Sequence, residues 1–119
     1  VRVEEVANCQ KLFVNEVFVV NATRQAAKAR VQVANPSPAL GPGEHTLAPG
    51  DTLRLGTYSV GQAFEAPEKY VTLEVRRVLR NRKLAAAVGA LRTEHTQVTP
   101  EHRRYFLVVH GWQRPRRER

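Results

Sequence analysis

The residues best able to do chemistry are few, and their spacing assembles none of them into a reaction centre. His95, His102 and His110 stand seven and eight positions apart. Zinc needs three or four converging ligands, usually including a pair two to four residues apart, and this chain has no such pair. The pattern reads as surface histidines, two of them following glutamates (Glu94 and Glu101), and predicts no metal site. Cys9 is the only cysteine. Nothing near it in sequence supplies the base that a reactive thiolate requires, and alone it cannot form an internal disulfide. Neither Ser37 nor Ser59 sits in a Gly-x-Ser-x-Gly elbow. The candidate acid–base carboxylates, Glu4, Glu5, Glu65, Glu68 and Glu74, read as solvated charge. Gly41-Pro42-Gly43 has a proline where a phosphate loop needs a backbone N–H. No catalytic residue and no cofactor is therefore expected, and the chain reads as a binding protein. Asn21-Ala22-Thr23 matches a glycosylation sequon but follows no secretory signal, so it reads as a chance match.

Charge is the stronger cue. The chain of 119 residues has a formal net charge of +8. Residues 1–74 contain 7 Lys/Arg and 8 Asp/Glu, whereas residues 75–119 contain 12 Lys/Arg and 3 Glu. The excess therefore lies wholly in the C-terminal part, where it forms three groups. Arg76, Arg77, Arg80, Arg82 and Lys83 run from a strand into a turn. Arg103 and Arg104 open the last strand. Arg114, Arg116 and Arg117 lie in the tail. A field of this kind attracts acidic partners and speeds their association. Phosphate contacts to nucleic acid would use the same side chains, and Tyr105, Phe106 and Trp112 lie close to them in sequence. No signature of a nucleic-acid-binding module accompanies them.

The elements that must carry these residues read mainly as strands. Lys11 to Val20 is apolar on both alternations, with Leu12, Val14, Phe18 and Val20 on one and Phe13, Val17 and Val19 on the other. Such a strand is covered on both sides. In a two-layer domain the second cover could be another subunit or the short helix, and Phe13, Val17 and Val19 are the predicted protein interface. Ala27 to Val33 alternates cleanly, with Lys28, Arg30 and Gln32 outward. Asn35 to His45 is rich in Pro and Gly and reads as a loop. Pro49-Gly50 suits a type II turn, Gly50 supplying the positive φ. Thr52 to Leu55 and Tyr58 to Phe64 read as two strands, and Tyr70 to Leu79 as a third with Arg77 on its apolar side. Leu84, Val88 and Leu91, with alanines between them, predict one short helix. Arg92 to Val98 and Arg104 to Trp112 form a hairpin around Thr99-Pro100-Glu101-His102.

Together these predict a mainly β fold: a single small β-sandwich (Ig-like) or barrel over residues 1–112 with one short helix, then a basic tail over 113–119. The absence of a signal peptide or membrane span points to a cytoplasmic or particle-associated protein with no membrane partner. The leading functional reading is a structural subunit. It would dock through the β domain and the basic C-terminal region onto a larger assembly, virion-like or multi-subunit, with other subunits and an acidic surface as partners. The alternative is a nucleic-acid-binding protein that uses the Arg-rich third.

Overall fold

The computed structural model describes residues 12–33, 42–61 and 64–113. Seven strands follow one another: β1 (Phe13–Asn21), β2 (Ala27–Val33), β3 (Gly43–Leu47), β4 (Thr52–Val60), β5 (Val71–Val78), β6 (Leu84–Thr99) and β7 (His102–Gln113). A 3-10 turn, Pro67–Lys69, precedes β5. The strands form one sheet in the order β3-β2-β5-β6-β7-β1-β4, curled into a nearly closed barrel. The pairings are antiparallel except that of β1 with β7, which is parallel and joins the first strand to the last.

Alternation sets the inner face. Ala27, Ala29 and Val31 of β2, Val71 and Val75 of β5, and Leu107 and Val109 of β7 point into the core, as period-2 patterning requires. Val17 and Val19 of β1 join them, both fully buried. This corrects the predicted interface. Of Phe13, Val17 and Val19, the two valines line the chain's own core, and half-buried Phe13 packs its ring edge-on against Phe64 at 4.9 Å. The outward side chains of β1 are Val14, Glu16, Phe18 and Val20. The reason is geometric: a sheet that curls on itself encloses one face of β1 without needing a second layer. A register shift at Val17/Phe18, opposite β4, adds local bending.

The ends of the sheet are joined by the turn from β3 to β4. Gly50 has φ 84° and Asp51 N donates to Ala48 O at 3.0 Å, as predicted for this turn. The fully buried side chain of Asn21, at the end of β1, clasps the turn. Its Nδ2 donates to Leu47 O and Ala48 O, both at 3.2 Å, and to Gln25 O at 2.9 Å. Its Oδ1 accepts from the Thr23 hydroxyl at 2.6 Å. The sequon asparagine is therefore a structural clasp with its amide occupied.

Three further expectations change, the first being that Gly43 to His45, read as the end of a loop, open β3. Thr52 to Leu55 and Tyr58 to Phe64 are not separate strands, since Thr52 to Val60 is continuous as β4. The predicted helix over Leu84 to Leu91 is the first half of β6. An isolated eight-residue helix is marginal whatever its alanine content. Here two neighbouring strands offer ladder bonds instead: Val88 pairs with Arg76 of β5 and Gln113 of β7. Gly89 fits the same arrangement. A Cβ there would lie 3.0 Å from Val109 Cγ1 and 3.1 Å from Val75 Cβ, tighter than ordinary contact, so glycine suits the close approach of the three strands.

Candidate functional site

The basic residues do not form one patch. Two groups emerge, and they differ in what their charges touch.

The first lies on the outer face of β1, β4 and β7 and centres on Glu16, which is only 8% exposed. Register sets Glu16 beside Thr57 of β4 and Arg104 of β7. Arg54 Nε donates to Glu16 Oε2 at 2.7 Å, and Arg104 Nε donates to Oε1 at 3.0 Å. His102 Nε2 lies 3.1 Å from that same Oε1. The hydrogen bond from Arg54, aided by Arg104 and His102 and opposed by burial, lowers the Glu16 carboxyl to about 2. Arg103 faces the other way, with its guanidinium 4.2 Å from the centre of the Phe64 ring and its Nε donating to Gln97 at 3.0 Å. Arg103 and Arg104, predicted to bind an acidic partner, are thus engaged within the chain. In sequence Glu16 interrupts the apolar run Lys11 to Val20. An ionisable residue within such a run was the one signal available, and its partners lie 38 and 88 positions away.

The second group lies on the outer face of β2, β5 and the start of β6. Lys28 pairs in register with Arg76, Arg76 with Val88, and Val88 with Gln113, so one row crosses four strands. Arg30 stands next along β2. A groove over this face is lined by Lys28, Arg30, Glu44, Glu74, Arg76 and Leu84. Lys28 contacts Glu44 at 3.2 Å and Arg76 contacts Glu74 at 3.4 Å, both as surface pairs. The turn beyond β5 presents Arg80, Arg82 and Lys83, all exposed, with Arg82 at φ 67°. Arg77 is half-buried opposite Ala27, and its Nε is buried without a hydrogen-bond partner. Arg114, Arg116 and Arg117 lie outside the described residues. The last described residue, Gln113, is the end of the Lys28–Arg76–Val88 row.

A third cluster sits beside the 3-10 turn. The Tyr58 hydroxyl donates to Glu65 O, the Tyr70 hydroxyl bonds the Glu65 carboxylate, and the Thr93 hydroxyl donates to Glu68. Burial pushes the Tyr58 hydroxyl above its usual range, while the bond from Tyr70 lowers Glu65. Among the described residues no three His, Cys, Asp or Glu side chains converge as metal ligands would. His95 faces Tyr105, His102 is held by Glu16, and His110 is exposed. Cys9 lies outside the described residues. Comparison with protein-family models, curated proteins and solved structures gives no match.

Proposed function

We propose that this domain is a non-catalytic assembly subunit that docks onto an acidic protein surface through the outer face of β2, β5 and β6, extended by the basic tail. The carrying observation is the row Lys28–Arg76–Val88–Gln113, which brings the strand-borne cations to the root of the arginine-rich tail. The exposed Arg80, Arg82 and Lys83 add charge at one end of the same face, and among the described residues they form no ion pair. Glu44, Glu74 and Leu84 in the groove favour a protein over a nucleic acid as partner. Two carboxylates would repel a phosphate backbone, whereas a mixed and partly apolar lining suits a protein interface. Among the described residues the groove's lining includes no aromatic ring of the kind on which a single-strand binder stacks bases.

The test is titration of the full chain with a polyglutamate peptide and, separately, with a single-stranded oligonucleotide, following the mass of the complex at increasing salt. Saturable polyglutamate binding that weakens when Arg80, Arg82 and Lys83 are changed to Ser supports docking on an acidic protein. Tighter binding of the oligonucleotide, lost in the same variant, would replace this reading with nucleic-acid binding.

A further inference from the structure

The second half of β6 is an open sheet edge. β5 accompanies β6 only from Leu84 to Val88, and beyond Gly89 the two strands part. Residues 91–99 pair with β7 on one side, and among the described residues no strand pairs with them on the other. The ladder to β7 is unbroken from Leu91 to Gln97, so this edge is regular. Every residue from 91 to 99 is exposed. The stretch contains no proline, and its two charged residues, Arg92 and Glu94, are of opposite sign and so can pair with those of another copy. Its unpaired backbone groups form a template for strand addition.

We infer that this edge pairs antiparallel with the same edge of a second copy of the chain, about a two-fold axis at Thr93. A two-fold axis perpendicular to the sheet keeps faces matched, so residues of the same alternation must oppose one another. Few registers satisfy that condition. Centring on Arg92 or on Glu94 opposes like charges. Centring on His95 sets Arg92 opposite Val98 and Glu94 opposite Thr96. Only centring on Thr93 sets Arg92 of each copy against Glu94 of the other. Within one chain these two side chains already meet at 2.6 Å on the outer face, each about half exposed. Pairing would join them with their copies into a four-charge cluster of alternating sign about Thr93, whose hydroxyl stays bonded to Glu68 of its own chain. This surface lies beyond Val88, away from the cationic groove, so the inference stands apart from acidic docking.

Sedimentation of the full chain over a range of concentrations tests it. A concentration-dependent dimer is expected. Arg92→Glu and Glu94→Arg should each weaken it about ten-fold, because each change turns two attractive pairs into repulsive ones. The double variant Arg92→Glu/Glu94→Arg should restore it, which a variant that merely misfolds could not do. In a Cys9→Ser background, Thr93→Cys should form a disulfide-linked dimer on mild oxidation and Val98→Cys should not. A monomer at every concentration overturns the inference. So does a dimer that ignores both charge reversals, which would put the contact elsewhere. Loss of polyglutamate binding without loss of the dimer would count against acidic docking alone.

Discussion

Two groups of arginines in this barrel look alike in sequence and behave as opposites. Around Glu16, Arg54 and Arg104 converge from different strands on one buried carboxylate, with His102 beside them. Around Lys28 and Arg76 the carboxylate contacts are longer, solvent-exposed pairs, and Arg80, Arg82 and Lys83 add cations at the adjoining turn. The first group is knitted into the fold, where one carboxylate offsets part of its charge. The second keeps its field available. A run of like charge in sequence therefore does not reveal which charges are free. That depends on whether strand pairing brings a distant carboxylate to them.

The largest effect should come from β1 itself, next to Glu16. Val17→Asp would bury an unpaired charge in the core and should cost more than about 4 kcal/mol. The chain would then be unfolded by far-ultraviolet circular dichroism. A folded variant would mean that this face of β1 is a surface after all. Glu16→Lys should come next, at about 3 kcal/mol in urea unfolding, since it adds a cation among cations and leaves Arg54 and Arg104 without their partner.

Glu16→Gln should cost less, about 1–2 kcal/mol at neutral pH. It also has a pH signature. The folded-state carboxyl is lowered from 4.5 to about 2, so its contribution is complete above about 4.5 and disappears as pH falls toward 2. The wild type should lose stability across that window, and the Gln variant should lack that part of the loss. Equal acid sensitivity of the two proteins would show that the Glu16 cluster does not stabilise the fold. The smallest stability effect belongs to the free group. Changing Arg80, Arg82 and Lys83 to Ser should shift unfolding by no more than about 0.5 kcal/mol, because exposed cations without a fixed partner add little.

Much of the fold was legible in local pattern. Ala27 to Val33 reads as a half-buried strand because alanine and valine alternate with Lys28 and Arg30, and the structure keeps those bounds. Pro49-Gly50 reads as a turn because the backbone there needs what only glycine supplies freely. The hairpin around Pro100 was legible for similar reasons. Local pattern failed where a neighbour distant in sequence decides. Leu84 to Leu91 carries a helical stripe, yet β5 and β7 capture it as strand. Phe13, Val17 and Val19 looked like a second exposed face because alternation cannot tell a flat sheet from one that curls into a barrel. Of the site, the cations of β2 and β5 and the turn after β5 were visible. The engagement of Arg104 was not, since it depends on the parallel pairing of β1 with β7, which no local signal announces, and that of Arg103 depends on Phe64, far away in sequence.

The most direct test measures binding against salt in three forms of the full chain: wild type, Arg80/Arg82/Lys83→Ser, and Arg104→Gln. With polyglutamate as the probe, the wild type should bind with an affinity that falls as salt rises. The triple variant should bind more weakly with a flatter salt dependence. Arg104→Gln should follow the wild type in binding while unfolding at lower urea. If Arg104→Gln instead weakens binding as much as the triple variant does, the division between knitted and available arginines is contradicted.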